Sequence, residues 1–190
     1  MEPLSASVGD QKIDLDIAYI ADPWMGKVEL IDWKGLWTSR PAEPRIEGVN
    51  HVAFGVHDMK VTTDFYKQLG FRDQIFESKE FFEPMAPWYQ VGRPLPGHHM
   101  TLWLSGEGAG IEPVRLTPLW EDSRGDWGHG GPMDFGIGVE NIKKAVATLK
   151  ELGIETHSDI QVLDVGNTEF KYVYFKDPDD QYVSLVESNY

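Results

Sequence analysis

The chain has 190 residues, 41% apolar and 25% charged, enough to bury a core as one domain or as two similar halves. Its net charge of −14 argues against a phosphate-backbone partner, which needs clustered Lys and Arg, and disfavours anionic membranes. With no cysteine there is neither a disulfide framework nor thiolate chemistry, and no apolar run reaches bilayer length. The opening "MEPLSASVGDQKIDL" lacks a basic-plus-apolar leader pattern, so a cytoplasmic location is expected. Seven Trp, seven Tyr and nine Phe are consistent with an apolar ligand cavity as well as with core packing.

The first predicted element is a hairpin. "DIAYIADPWMGKVELIDW", residues 16–33, overlays "FKYVYFKDPDDQYVSLVE", residues 170–187, at a constant offset. Tyr19, Asp22, Pro23, Val28 and Leu30 meet Tyr174, Asp177, Pro178, Val183 and Leu185, and Glu29 meets Ser184. A second repeat follows: "NHVAFGVHDMKVTTDFYKQLGF", residues 50–71, aligns without a gap to "MDFGIGVENIKKAVATLKELGI", residues 133–154. Each copy opens with β-rich alternation and then changes to helical spacing. In the later copy Ile142, Val146, Leu149 and Leu152 form an apolar stripe, and Gly153 stands where a helix end prefers glycine. In the earlier copy Met59, Phe65, Tyr66 and Leu69 precede Gly70 in the same way.

Strands are expected after each helix: 73–81, 99–105 and roughly 113–119 in the first unit, and 155–165, 170–176 and 181–187 in the second. The turn "DPDD" joins the last two. "EPMAPWYQVGRPLPGHH" is a long Pro- and Gly-rich loop of the kind that forms lids or pocket walls. Both units therefore read β-α-β-β-β. The expected divisions are an arm with a module-like hairpin at 1–46, a first module at 47–120, a linker at 121–131 and a second module at 132–190.

A duplicated β-α-β-β-β chain carrying "NHVAFGVHD", "FYKQLGF" and "VYFKDPDDQYVSLVE" resembles the vicinal oxygen chelate superfamily. That superfamily includes glyoxalase I, extradiol dioxygenases, methylmalonyl-CoA epimerase, fosfomycin-resistance enzymes and bleomycin-binding proteins. The resemblance covers about residues 47–187. It implies an α+β fold in which two paired β-α-β-β-β modules form a cup-shaped mixed sheet, here with an N-terminal β-hairpin arm. It also implies four metal-ligand positions, on the first and last strands of each module. Imidazole and carboxylate at such positions suit a divalent transition metal with sites left open for substrate oxygens.

By this resemblance His51 occupies the first-strand position of the first module and Asp134 that of the second. Ser184 stands where a carboxylate is expected, and Arg115 falls near the corresponding position of the first module, where it would hold an oxyanion. Glu29 resembles a last-strand ligand on a hairpin that lacks a preceding strand and helix. It is either a structural arm, extending a sheet edge or exchanging into a partner subunit, or the remnant of a module. Glu29 swinging in on the arm, or Glu112 or Glu187 after a register slip, would restore a carboxylate; Glu187 lies three residues beyond Ser184, on the opposite face.

The site expected from these residues has His51 as general acid or base and metal ligand, Asp134 orienting it or sharing the metal with it and Glu29, and Arg115 stabilising charge. Trp103 with Thr101, His99, Ser184, and Trp88 with Tyr89 from the long loop, would contact substrate. The expected function is an isomerase, lyase or cyclase acting by acid–base chemistry on a small oxygenated, aromatic or apolar molecule. Its metal site is degenerate, holding a divalent transition metal or none. The alternatives are a metal-dependent dioxygenase or glyoxalase-like enzyme, and a bleomycin resistance-like binding protein without turnover. The expected partners are a small-molecule substrate and a second copy in a homodimer, with neither nucleic acid nor membrane.

Overall fold

The computed structural model describes residues 4–8, 13–21, 23, 27–33, 48–79, 98–106, 109–115 and 134–189. An N-terminal sheet of β1 (Leu4–Val8), β2 (Ile13–Ala21) and β3 (Lys27–Trp33) has the order β1-β2-β3, antiparallel throughout. The first module contains β4 (His51–Gly55), α1 (Met59–Gln68), β5 (Phe71–Ser78), β6 (His99–Ser105) and β7 (Gly110–Arg115). The second contains β8 (Asp134–Gly138), α2 (Ile142–Glu151), β9 (Gln161–Val165), β10 (Thr168–Lys176) and β11 (Tyr182–Ser188). Their sheets run β4-β7-β6-β5 and β8-β11-β10-β9, and in each the first and last strands pair in parallel. This is the duplicated β-α-β-β-β architecture expected from the repeats. The arm adds one strand, β1, to the anticipated hairpin.

The helices form where the spacing predicts them. Asp58 caps α1 by accepting from the Lys60 and Val61 amides, and Asn141 caps α2 through the Lys144 amide, each cap being worth about 1 kcal/mol. Gly153 follows α2 at φ +75°, a left-handed conformation that a Cβ disfavours, so the helix stops there. The two helices and the inward faces of both module sheets share one core, in which Tyr66 is fully buried. Its ring lies 5.5 Å from Phe54 and 6.0 Å from Phe135, and Phe65 packs 6.2 Å from Phe175.

Polar contacts fix the same junction. The turn at 177–180 docks on the start of α1: Asp179 accepts from the His57 amide (2.7 Å) and the Thr62 hydroxyl (2.6 Å), and Asp177 accepts from the Tyr66 hydroxyl (2.9 Å). Asp177 also accepts the Asp179 and Gln181 amides. Burial nevertheless pushes its carboxyl up to about 6, with the Asp179 charge acting in the same direction and the donors opposing it. The "DPDD" turn therefore joins two modules as well as two strands.

β9 begins at Gln161, six residues after the expected start, and the departure that bears on the site is at β7. It begins at Gly110, three residues before the predicted start, because Pro113 sits inside the strand opposite Phe54 rather than at its entrance. Gly110 is demanded by packing, since a Cβ there would stand 2.8 Å from the Trp103 carbonyl oxygen. Among the described residues no helix is long and apolar enough to cross a membrane.

Candidate metal centre

Strand alternation places His51 and Ala53 on the face of β4 away from the helices, and Ala53 is paired with Glu112 of β7. In the second module the equivalent Gly136 is paired with Ser184. Glu112, and not Arg115, therefore occupies the position of Ser184. Arg115 lies at the exposed end of β7, an odd number of residues away and so on the other face. It corresponds to Glu187, which turns from the cup to accept from the Ile142 amide and Lys171. The three-residue displacement of β7 explains why sequence spacing pointed to the wrong residue.

The arm carries a third group to this point. Tyr19 pairs with Glu29 across β2 and β3 in the register by which Tyr174 pairs with Ser184. Ile31, on the same face as Glu29, packs against buried Phe76 and Leu102 of the first module and seats the arm there. Glu29 Oε2 then lies 3.2 Å from His51 Nε2, and Glu112 Oε2 lies 3.5 Å from the same nitrogen. One donor atom from each of Glu29, His51 and Glu112 falls within 4.8 Å of the others.

Neighbouring groups orient these donors. Asn50 Oδ1 is 2.8 Å from His51 Nδ1; in the neutral imidazole with that nitrogen protonated, Nε2 is the atom left to ligate an ion. The Tyr19 hydroxyl donates to Glu29 Oε1 at 2.9 Å and leaves Oε2 for the cluster. Burial, opposed by the His51 charge and reinforced by Glu29, pushes the Glu112 carboxyl up to about 7. Burial would lower the His51 pKa, but the Glu29 hydrogen bond and the charges of Glu112 and Glu29 outweigh it and raise it. Two carboxylates facing one imidazole in a desolvated place form a site that a cation would relieve. The donor set, one nitrogen and two carboxylates, fits a divalent transition metal.

The remaining sequence candidates are dispersed. Asp134 starts β8, is exposed, and accepts from the Tyr174 hydroxyl at 3.2 Å. Partial burial raises its pKa. It is not part of the Glu29, His51 and Glu112 cluster. Ser184 is buried beside it on β11, with Tyr172, Tyr174 and Tyr182 on the same face. Trp103 lies under α1 in the helix-side core, with Lys67 Nζ 4.2 Å above its ring. Leu102, on the opposite face, stands across from Glu112 by the pairing of Trp103 with Ile111 and of Met100 with Val114. Thr101 shares the Trp103 side and donates to the Phe76 carbonyl. His99 is held by Glu77 at 2.6 Å. Trp88 and Tyr89 lie outside the described residues.

The sequence profile described as the Glyoxalase/Bleomycin resistance protein/Dioxygenase superfamily matches residues 48–185. A glyoxalase family protein from Enterococcus faecalis is similar in structure, with a TM-score of 0.55 and 22% identity over 74% of this chain and 98% of its own. Another from Bacillus cereus has a TM-score of 0.59 and 16% identity over 78% and 99%. A glyoxylase/bleomycin resistance protein/dioxygenase domain from Frankia has a TM-score of 0.55 and 14% identity over 76% and 100%. At these identities the likeness is one of fold. No curated protein matches the chain.

Proposed function

The chain belongs to the glyoxalase/bleomycin resistance protein/dioxygenase superfamily, also called the vicinal oxygen chelates, and we propose that within it the chain is a metal-dependent enzyme acting on a small oxygenated molecule. The reading rests on one observation: the arm brings Glu29 to His51 and Glu112, so that three donors converge. Glu29, His51 and Glu112 would hold the ion, and a divalent cation there supplies Lewis acidity toward a substrate oxygen. Tyr19 and Asn50 fix the free oxygen of Glu29 and the free nitrogen of His51. Without an ion, burial holds the Glu112 carboxyl at about 7, so it gives up its proton to ligate; the reaction type proposed is isomerase- or lyase-like proton transfer. This reading replaces the acid–base site of His51, Asp134 and Arg115 with a metal centre.

A second reading, ligand sequestration without turnover, is favoured by the aromatic face of the second sheet. There Tyr174 lies 5.8 Å from Tyr172 and 6.4 Å from Tyr182, beside Ser184 and Asp134. Elemental analysis of protein purified without chelator or affinity tag separates the readings. The metal enzyme predicts about one transition metal per chain, lost in His51→Ala and in Glu29→Ala. Wild-type protein that arrives empty and takes up no Mn(II) or Zn(II) on titration would sink it.

A further inference from the structure

The arm is built like the last three strands of a module. Its order β1-β2-β3 parallels β9-β10-β11, and its hairpin register matches that of β10 and β11. In both complete modules the last strand is internal, flanked in parallel by the first strand: β4 beside β7 and β8 beside β11. Among the described residues β3 has no such neighbour and ends its sheet.

The face of the arm away from the cluster shows the same deficit. Ile20, Val28 and Leu30 are 48%, 44% and 43% exposed. Their counterparts by register, Phe175, Val183 and Leu185, are 0%, 0% and 4% exposed, buried in the core that the two helices share. The open edge and the bare face coincide with the places that a strand and a helix fill in a complete module. Two copies of the arm meeting edge to edge or face to face would satisfy only one of them. A strand followed directly by a helix satisfies both.

We propose that the arm is an acceptor for a strand–helix segment of another polypeptide, whose strand pairs in parallel with β3 and whose helix covers Ile20, Val28 and Leu30. The chain's own units specify the chemistry of this partner. It has about five alternating residues, a capping residue and an apolar helical stripe ending at glycine, as in residues 50–71. The register is specified too. Ala53 opposes Glu112 and Gly136 opposes Ser184, so the third strand residue of the partner lies opposite Glu29 and is small. The docking stands on packing alone and does not depend on a metal in the cluster.

The test uses the full chain with a labelled synthetic peptide of its own residues 50–71, and a scrambled peptide as control. The expected result is saturable binding that slows hydrogen exchange in residues 27–33. Affinity should fall at least tenfold in Leu30→Asp and in Val28→Asp. Val162→Asp, a change at another exposed apolar residue on β9, should bind as wild type does. Absence of saturable binding, or equal binding by Leu30→Asp, would overturn the proposal. So would self-association of the chain that protects residues 27–33 without peptide and is lost in Leu30→Asp, since that result gives the face to a second copy.

Discussion

If Glu29, His51 and Glu112 hold a metal, its affinity must depend on pH in a defined way. A carboxyl held at about 7 is mostly protonated below neutrality and has to release its proton before it can ligate. Affinity for Mn(II) should therefore approach a tenfold fall per pH unit well below 7, and drop roughly 15-fold between pH 7 and 5.5, from Glu112 alone. His51, whose pKa is also raised, must be neutral to ligate and steepens the fall in the same direction. Isothermal titration with Mn(II) in buffers of different ionisation enthalpy counts the protons released. About one or more per ion is expected at pH 6, decreasing toward pH 8. In Glu112→Gln the slope should lose one proton as the affinity drops. A wild-type affinity that varies less than about threefold over this range, or a slope unchanged in Glu112→Gln, would refute the assignment.

Other expectations concern the scaffold. Asp177 has a folded pKa of about 6 against about 3.9 in an unfolded chain, so its contribution to stability is complete below pH ~4 and is lost as pH rises through 6. The difference is about 3 kcal/mol, and urea titrations from pH 4 to 7 should show a shallower decline in Asp177→Asn. Tyr66→Phe removes the hydroxyl that meets Asp177 across the modules and should cost about 1–3 kcal/mol in the same assay. Trp103→Phe removes a buried indole N–H that has no hydrogen-bond partner among the described residues; metal affinity should be unchanged, whereas a stacking role in the site would change ligand binding strongly. Gly110→Ala forces a Cβ against the Trp103 carbonyl and Leu104 and should destabilise by about 1–3 kcal/mol in thermal melts.

Repetition made the fold legible in the sequence. Two copies of strand, helix and glycine stop, and two copies of the Tyr-Asp-Pro hairpin, prescribe local structure without reference to distant contacts. The hairpin overlay even holds as strand register, Tyr19 to Glu29 and Tyr174 to Ser184. His51 was legible for the same reason, as the first residue of a patterned strand. Glu112 was obscured because Pro113 reads as a strand boundary, while packing against Phe54 keeps it inside β7. Trp103 was ambiguous because alternation assigns residues to two faces but does not say which face a helix will cover. The convergence of Glu29 with His51 and Glu112 depends on how the arm seats against Phe76 and Leu102. Periodicity carries information along a strand and across a turn; it does not encode the meeting of side chains 22 and 61 residues apart, which only burial of the arm against the first module brings about.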